Sequence, residues 1–587
     1  MNIIFIDNIS FFSFFKILLK NYNSKEVKIL SEEKKFSFIW IKLLGFFNFK
    51  VNYEKFFFGD IILKNNESIY LNSRKEASEK SFLYSKWILR NSDFLINKKI
   101  SLEKKKILEL YISKTVFMEM EHFIRRFEYL NYKYYNIKKK IILLPSPNLI
   151  EKKFIKQNFS NCHVFFYGFN INYIYNYLKL FIKNLIGLFN YFCSTKVINN
   201  KKSIVSIATD SIDLDSDLRH FPNWYTPSIK KLFIINFNHH KVKMSNDELL
   251  KNSIQLINNN KIIFSVFKKY HFKIHNNEEI PLSLLLEIKN FFYMTNGLFF
   301  LLKNLKCNRF IYSDPQDPIT DSVQLFSSDL GIKTICLQYT NMAMKVPLLI
   351  PSSDIFLSFS NIYKKVFKWN DLGPKKIIPI GYAFKLKIID NQFKIKENLR
   401  QRGVKIIITY FDESVQNEKW GLLNEDQNSR NMEIFARLVI NNPKISVILK
   451  PQFCFNTIYK YNSVIVKKAL LTNRFLELNE GSHRNIITPG KVAQISDYCI
   501  CSLTGATAAL ECALYKKRVL LINPHGFIGE FNYIYNKANL IFPSIESAIN
   551  SILKNKNKDL GNWETILNLL SQEKVDFKKS INNFLIK

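Results

Sequence analysis

The sequence predicts an α/β protein whose strands form parallel sheets. From residue 309 onward, short apolar segments alternate with amphipathic segments of helical period, which favours parallel strands joined by right-handed helical crossovers. Polar residues directly follow several of the apolar segments, as expected where the carboxyl ends of parallel strands bind ligands. Near the C-terminus a turn of small residues, Ser502–Thr507, joins a strand to a helix. Together these observations predict Rossmann-like domains.

The composition indicates a large folded chain with a basic surface. With 587 residues, 53 of them Phe, the chain is long enough for several domains and too aromatic to be disordered. Its formal net charge of +36 suits a nucleic acid, an anionic membrane surface or a phosphorylated donor. Lys, Ile, Asn and Phe abound, as in AT-rich genomes, and no Arg-rich run, zinc motif or RNP-like motif is present. We therefore expect no nucleic-acid partner.

The cysteines and the apolar segments indicate a cytoplasmic protein. The 8 cysteines show no C-x-x-C spacing, and Cys499, Cys501 and Cys512 stand where buried apolar residues are expected, so they are predicted to be reduced core thiols. Asp7 and Asn8 interrupt the apolar N-terminus, which lacks the basic start and the cleavage site of a signal peptide. Two later apolar stretches are broken by Lys or too short to span a bilayer.

The first predicted domain covers residues 1–385, with helical insertions over about 80–200. Its predicted strands are Ile141–Leu144, Val164–Tyr167, Ser203–Thr209, Phe310–Tyr312, Lys333–Leu337, Ile355–Ser358 and Ile377–Gly381. Helices are predicted within 81–140, at Tyr173–Tyr191 and at Ser322–Leu330, the last closed by Gly331. An acidic run at Asp210, Asp213, Asp215 and Asp217 fits either a cation site or base, or a solvated loop. Asp314, Asp317, Gln338 and Tyr339 follow strands, so we expect them at a ligand-binding edge.

The second predicted domain covers residues 403–587, after a polar linker at 386–402. Its predicted strands are Val404–Tyr410, Ser446–Leu449, Asn485–Ile487, Tyr498–Cys501 and Val519–Ile522. Its predicted helices are Arg430–Ile440, Val492–Ser496 and Thr507–Tyr515. Two Rossmann-like domains facing each other across a cleft are the predicted architecture.

The turn before the last of these helices has the properties of a phosphate site. A helix N-terminus leaves backbone N–H groups free, and its dipole favours an anion. Gly505 would let the backbone approach a phosphate closely, and the hydroxyls of Thr504 and Thr507 can donate to it. One turn further, Glu511 could accept hydrogen bonds from ribose hydroxyls. The alternatives are an ordinary strand–helix unit in which Thr only caps the helix, and a solvated Glu511.

A longer pattern in this half carries a family resemblance. A strand ending in Lys450–Pro451 precedes Ile495–Ser496–Asp497, and then comes the segment from Ser502 to Leu520, with its Thr-Gly-Ala turn and its Leu-Glu-Cys-Ala-Leu helix. Over residues 309–527 the chain resembles GT-B glycosyltransferases, most of all those of bacterial surface-polysaccharide assembly: capsule and Kdo transferases, sialyltransferase-like enzymes and polyol-phosphate transferases. The resemblance implies a GT-B fold.

The resemblance also implies roles for individual residues. Ser502, Thr504, Gly505, Ala506 and Thr507 would hold the donor phosphate and Glu511 the ribose, while Lys450 and Gln452 would line the nucleotide site. The chain departs from the family pattern in two places. Gln452–Phe453 stands where relatives have His-Pro, and Gln338–Tyr339–Thr340, on the acceptor side, stands where relatives often have Gln-His-Gly. A role that needs either imidazole must therefore fall to other residues.

We therefore expect a metal-independent glycosyltransferase that needs no cofactor and uses a nucleotide-sugar donor, with a CMP-activated sugar among the candidates. Its acceptor would be a cell-surface glycan or a lipid-linked molecule, with peripheral contact to an anionic membrane at its inner face. Asp314 and Asp317 are the expected catalytic bases, although Asp-Pro pairs also favour turns. Two alternatives remain open: a CDP-polyol phosphotransferase of the teichoic-acid type, and a non-catalytic binding protein for a glycan or nucleotide.

Overall fold

The computed structural model describes the chain as two compact units. One comprises residues 1–63, 68–196 and 262–301, and the other comprises residues 64–67, 197–261 and 302–587. The residues described are 3–6, 14, 17–18, 26–31, 38–55, 61–63, 67–90, 92–93, 101–134, 140–144, 162–166, 203–208, 212–213, 232–236, 242–243, 254–258, 273–274, 282–313, 315–341, 344–382, 393–412, 425–454, 457–481, 485, 487–504, 506–554 and 559–571. The predicted domain boundaries stay a prediction.

The first unit contains a five-stranded parallel sheet of order β3-β2-β1-β5-β6, formed by β1 (Ile3–Ile6), β2 (Glu26–Ser31), β3 (Lys50–Lys55), β5 (Lys140–Leu144) and β6 (Cys162–Phe166). Two short strands, β4 (Ser92–Asp93) and β12 (Lys273–Ile274), pair antiparallel. Its helices are α1 (Phe38–Phe46), α2 (Ile69–Arg90), α3 (Leu102–Tyr134) and α4 (Leu282–Asn304), the last running into the second unit. The sequence predicted strands near β5 and β6 but assigned them to one domain with the strands of residues 203–381, and it did not predict a separate sheet here.

A buried ion cluster joins the two long helices of the first unit. Glu121 on α3 pairs with Arg125 on the same helix and with Arg74 on α2, where the Nε–Oε1 distance is 3.4 Å. Arg74 and Arg125 are 1% and 5% exposed. Their guanidinium groups also lie over the ring of Tyr70, at 5.2 and 4.6 Å. Removing one partner of such a cluster would leave a buried charge uncompensated and would be strongly destabilising.

The second unit contains two larger parallel sheets. The middle sheet has the order β11-β9-β7-β13-β14-β15-β16, from β7 (Ser203–Ala208), β9 (Leu232–Asn236), β11 (Ile254–Asn258), β13 (Cys307–Tyr312), β14 (Lys333–Leu337), β15 (Ile355–Ser358) and β16 (Lys376–Pro379). Short strands β8 (Ile212–Asp213) and β10 (Val242–Lys243) pair with each other. Helix α5 (Pro318–Leu330) connects β13 to β14, and short 3-10 turns lie at Pro347–Leu349 and Asn361–Lys365.

The C-terminal sheet has the order β19-β18-β17-β20-β21-β22. Its strands are β17 (Ile406–Asp412), β18 (Ile445–Pro451), β19 (Phe475–Glu477), β20 (Tyr498–Ser502), β21 (Arg518–Ile522) and β22 (Ile541–Phe542). Around it lie a 3-10 turn (Ile458–Lys460) and eight described helices: α6 (Phe393–Gln401), α7 (Glu425–Asn441), α8 (Val464–Leu471), α9 (Pro489–Ile495), α10 (Thr507–Leu514), α11 (Asn532–Lys537), α12 (Ile545–Lys554) and α13 (Glu564–Leu570).

In both sheets of the second unit, the strand that comes first in sequence lies inside the sheet. The next two strands are added on one side of it, and the remaining strands are added on its other side. This is the strand order of a Rossmann fold, in which ligands bind where the order reverses. The reversal lies between β7 and β13 in the middle sheet and between β17 and β20 in the C-terminal sheet. The predicted α/β class is confirmed, and the two sheets of this unit fit the predicted GT-B architecture.

Apolar residues that alternate along these strands form the core. Against the C-terminal sheet, Met432, Phe435 and Val439 of α7 pack on Val447 and Tyr410. Cys499, Cys501 and Cys512 are buried free thiols, as predicted. Among the described helices none is long and apolar enough to cross a membrane.

The predicted elements of this unit are mostly present, often with different ends. Strands Lys333–Leu337 and Ile355–Ser358 have the predicted bounds, and Gly331 ends α5 with a φ of 65°. The predicted strand Asn485–Ile487 is wrong, because Asn485 and Ile487 lie in a loop, and the strand beside β18 is Phe475–Glu477 instead. The predicted helix Tyr173–Tyr191 lies outside the described residues. Helix α6 lies within the segment predicted as a linker.

Candidate donor and acceptor site

The turn between β20 and α10 begins at the reversal point of the C-terminal sheet. The side-chain oxygens of Ser502 and Thr504 lie 2.8 Å apart and form one hydrogen bond, in which either hydroxyl can donate, at the end of β20. Ala506 is the N-cap residue of α10, and no side chain caps the helix there. The first-turn N–H groups therefore point out of the helix without a capping oxygen, as a phosphate site requires. Gly505 lies outside the described residues.

Thr507 does not cap α10, because it is the first residue of the helix and Ala506 is the N-cap. Its Oγ1 accepts a hydrogen bond of 2.7 Å from the backbone N–H of Asn341, which follows β14 of the middle sheet. The side chain of Asn341 donates to the carbonyl oxygen of Ala506 at 3.1 Å. The loop after β14 thus holds the start of α10 through two consecutive turn residues. Sequence reasoning missed Asn341, since its partners are 165 and 166 residues away.

The predicted acceptor-side residues stand in this same loop. Gln338 is 2% exposed, and its amide donates to the carbonyl oxygen of Thr340 at 2.9 Å and accepts from the N–H of Phe359 at 2.8 Å. Both ends of this amide therefore bind backbone and shape the loop. Tyr339 is half-buried. The structure thus brings the predicted acceptor-side segment next to the predicted phosphate turn.

Glu511 binds protein groups with both carboxylate oxygens. It is 5% exposed, and Oε1 accepts from the N–H of Gly490 at 2.7 Å, at the start of α9. Oε2 accepts from the hydroxyl of Tyr382 at 3.0 Å. A carboxylate at a helix N-terminus is favoured by the helix dipole. The contacts of Glu511 are therefore structural in kind, while its predicted ribose role stays a prediction.

Lys450 and Gln452 follow the neighbouring strand β18. Lys450 is 4% exposed and lies opposite Phe411 of β17. Tyr410 lies opposite Ile500 of β20, so the next residue, Phe411, lies beside Cys501. Lys450 and Cys501 therefore flank Phe411 in one row across the sheet, two strand spacings or about 10 Å apart. Gln452 is half-buried, and its carbonyl oxygen accepts from the N–H of Asn485 at 3.1 Å.

Asn485 is a second residue that sequence reasoning missed. It is 1% exposed, and its Nδ2 donates to the carbonyl oxygens of Pro451 at 3.0 Å and Leu478 at 2.7 Å. Its Oδ1 accepts from the N–H groups of Glu480 and Ile487. The segment that was predicted as a strand is therefore a loop that fixes the ends of β18 and β19.

The charges at the end of β18 influence one another. Burial raises the pKa of the Cys454 thiol, Lys450 lowers it, and Glu477 raises it. Burial also raises the pKa of Glu477, against hydrogen bonds from the N–H of Ile458 and from Asn479. A cation on β18 and a partly buried carboxylate on the neighbouring β19 thus act on the same thiol.

Asp317 has a clear local role, whereas Asp314 lies outside the described residues. Asp317 is the N-cap of α5, and its carboxylate accepts from the N–H of Ile319 at 2.9 Å. Its half-buried side chain lies at the carboxyl end of β13. Capping is the turn chemistry that the sequence offered as the alternative to a catalytic base.

The described residues include no group of three or more His, Cys, Asp or Glu side chains that could hold a metal ion. Of the acidic run predicted at 210–217, only Asp213 is described, in β8.

Comparisons with known proteins give structural likeness alone. No family model matches, and no curated protein matches. Among solved structures, the UDP-GlcNAc 2-epimerase from Neisseria meningitidis bound to UDP-GlcNAc has 10% identity and a TM-score of 0.37, covering 66% of this chain and 99% of that one. A UGT transferase from Siraitia grosvenorii in complex with UDP has 10% identity and a TM-score of 0.38 over the same shares.

The wall teichoic acid polymerase TagF is also similar, with 12% identity and a TM-score of 0.31 over 71% of this chain and 93% of that one. Likeness at these values carries no functional argument, so we argue the function from the residues.

Proposed function

We propose that this protein is a glycosyltransferase that moves a sugar from a nucleotide-activated donor to a glycan or lipid-linked acceptor. The observation that carries the proposal is the uncapped start of α10 at the reversal point of the C-terminal sheet, held by the loop that carries Gln338 and Tyr339. The proposed anion site and the predicted acceptor segment are therefore in direct contact. A transferase needs its two substrates in contact, and this arrangement supplies both sides.

The donor phosphate would lie on the N–H groups of the first turn of α10. Charge develops on the leaving phosphate during transfer, and fixed backbone dipoles stabilise that charge without having to reorganise. The hydroxyls of Thr504 and Thr507 are on the same turn, and Lys450, which shares a sheet row with Cys501 just before that turn, would supply a cation. We propose that these groups suffice without a metal ion or a cofactor. Glu511 would reach the ribose only by exchanging one of its protein donors.

An acceptor hydroxyl needs a base if the reaction inverts configuration. Asp314 and Asp317 at the end of β13 remain the proposed candidates. Asp317 caps α5 through Oδ1, so as a base it would have to act while holding that cap.

A second candidate function uses the same turn. A CDP-polyol phosphotransferase of the teichoic-acid type would also bind a donor phosphate there, and the two reactions differ in whether phosphate leaves with the nucleotide or is transferred. A binding protein that lacks catalysis would fit the turn as well.

One experiment separates the three candidates. The purified protein is incubated with CMP-, UDP-, GDP- and CDP-activated donors, with EDTA or with Mn²⁺, and the nucleotide product is identified. We expect release of the nucleotide from one sugar donor, undiminished by EDTA. Release of CMP from a CDP-polyol alone would support the phosphotransferase, and binding without turnover would support the binding protein. Activity that EDTA abolishes and Mn²⁺ restores would contradict the metal-free proposal.

We also propose peripheral contact with an anionic membrane at its cytoplasmic face. Helix α1 ends in an exposed apolar cluster of Leu43, Phe46 and Phe47, which are 37%, 81% and 48% exposed. Exposed Lys42 and Lys50 lie on either side of it in sequence. Nine residues of helix are too few to span a bilayer, but aromatic side chains beside lysines are typical of helices that bind its surface.

Sedimentation with vesicles tests this contact. We expect stronger binding to vesicles of phosphatidylcholine with phosphatidylglycerol than to phosphatidylcholine alone, since each lysine near an anionic surface adds about 1 kcal/mol. The pair Phe46→Ser and Phe47→Ser should weaken binding at least ~10-fold. Leu471→Ser, at a residue 83% exposed on α8, is the matched control and should have no effect. An equal loss of vesicle binding in both variants would contradict the proposal that α1 makes the membrane contact.

A further inference from the structure

Asn341 forms hydrogen bonds through its backbone N–H and through both ends of its side-chain amide. It is 1% exposed, its backbone N–H donates to Thr507, and its Nδ2 donates to the carbonyl oxygen of Ala506 and, at 3.2 Å, to the hydroxyl of Tyr535. Its Oδ1 accepts from the hydroxyl of Tyr363. A carbonyl oxygen can only accept, so the Ala506 contact fixes which end of the amide is nitrogen. Residue 341 is therefore locked in one orientation.

The partners of Asn341 keep it in place. Burial raises the pKa of both Tyr363 and Tyr535 above their ordinary values, so both phenols stay protonated near neutral pH and hold their hydrogen bonds. Tyr363 follows β15, and Tyr535 is on α11. Three separate elements thus determine where the loop after β14 meets the start of α10.

The consequence falls on the hydroxyl of Thr507. Its oxygen accepts the N–H of Asn341 at 2.7 Å, so its own proton must point to another acceptor. The acceptor in the structure is Thr340 Oγ1 at 3.4 Å, which is a long contact. Accepting one hydrogen bond makes a hydroxyl a stronger donor. Asn341 thereby prepares Thr507 to donate to a phosphate oxygen at the helix start.

The alternative is that the hydrogen bonds of Asn341 only hold the middle and C-terminal sheets together, a role that does not require contacts to Ala506 and Thr507. A second, part-buried hydrogen bond links the part of the chain that carries the middle sheet to the part around the C-terminal sheet: Ser360 Oγ donates to the carbonyl oxygen of Leu569 at 2.6 Å. That contact involves no residue of the turn. Removing it by Ser360→Ala therefore shows how much nucleotide affinity is lost when a hydrogen bond between these two parts is removed without touching the turn.

We propose that Asn341 is a positioning residue: it holds Ala506 and orients the Thr507 hydroxyl so that the turn binds the phosphate of a nucleotide. This rests on the proposed function of that turn. The residue does not itself touch the donor, and it acts only on the phosphate, leaving the contacts of the nucleoside unchanged.

Calorimetric titrations with UDP and CDP, and with uridine and cytidine, test the proposal on the full chain. Asn341→Ala keeps the backbone N–H that donates to Thr507 but removes the side-chain hydrogen bonds that hold this N–H in place, and we expect the diphosphate to bind 10- to 100-fold more weakly, with nucleoside affinity unchanged. Thr507→Val keeps the shape of the side chain but removes the hydroxyl, and we expect a similar loss of diphosphate affinity. In the double variant Asn341→Ala/Thr507→Val, the fold-loss of affinity should be smaller than the product of the two single losses. Ser360→Ala should change neither affinity.

Several outcomes would overturn it. Equal losses in Asn341→Ala and Ser360→Ala would make Asn341 a general tether, and unchanged diphosphate affinity in a folded Asn341→Ala variant would remove its role. If the wild-type chain binds none of CMP, UDP, GDP and CDP, the proposed function of the turn fails, a result that the wild type alone reveals. In that case hydrogen exchange of residues 502–510 still tests the geometry: exchange must be faster in Asn341→Ala than in Ser360→Ala, or the positioning role is wrong.

Discussion

Replacing Glu511 by Ala tests what this carboxylate does. The side chain is 5% exposed and accepts two hydrogen bonds, from the Gly490 N–H at 2.7 Å and from the Tyr382 hydroxyl at 3.0 Å. Hydrogen bonds to a charged group contribute about 1.5–3 kcal/mol each. Since the Tyr382 hydroxyl can turn to another acceptor while the Gly490 N–H cannot, we expect the variant to lose about 3 kcal/mol in the local stability of α9 and α10.

Amide hydrogen exchange measures this loss directly. A cost of about 3 kcal/mol corresponds to roughly 10²-fold faster exchange in peptides that cover Pro489–Ile495, if these amides exchange through local opening. Glu511→Gln is the matched control, because its amide oxygen can still accept from Gly490 and its nitrogen can donate to Tyr382. We expect a loss of about 1 kcal/mol or less there.

The result also decides between the structural and the ribose role of Glu511. Unchanged exchange in Glu511→Ala would refute the reasoning from its protein contacts. If Glu511→Gln instead weakens binding of a ribonucleotide but not of its 2′,3′-dideoxy analogue, the carboxylate binds ribose, as the sequence resemblance implied.

Three further predictions follow from single contacts. Gly490→Ala would place a Cβ 2.3 Å from the Tyr515 ring, and we expect a loss of about 1–3 kcal/mol; a variant with wild-type thermal stability would show that Tyr515 moves freely. Asp317→Asn keeps the cap of α5, so stability should hold, while a base at this position requires the turnover to fall ~10²–10⁴-fold; normal turnover would leave Asp314 as the candidate. Burial raises the pKa of Glu128 from 4.5 to about 7, so its protonated form favours folding and stability falls as pH rises from about 4.5 to 7. Glu128→Gln should therefore raise the melting temperature at pH 8 more than at pH 4, and an equal change at both would contradict the assignment.

Local signals in the sequence were enough to predict much of the second unit. Strands Lys333–Leu337 and Ile355–Ser358 are apolar runs with polar ends, and Gly331 marks a helix end because its φ of 65° suits glycine. Strand β19 was missed because it has three residues, of which Phe475 alone is fully buried. A segment of three residues is too short to show the alternation of apolar and polar residues that identifies a strand.

The candidate site stays a prediction that rests on local patterns, the small-residue turn and the polar strand ends. The hydrogen bonds that connect its residues are different in kind. The hydrogen bonds of Asn341 and Asn485 join residues distant in sequence, so no local pattern carries them. Likewise, a Glu on a helix reads the same whether it binds ribose or, as Glu511 does, the N–H of another helix.

Calorimetric titration of Gly505→Val against the wild type, each with the panel of CMP, UDP, GDP and CDP, tests the central claim most directly. A branched side chain at this position would fill the space for an anion and restrict the backbone of the turn. We predict that the wild type binds at least one of these nucleotides and that the folded variant binds none. Equal affinity in the two proteins would contradict the assignment of residues 502–507 as the phosphate site.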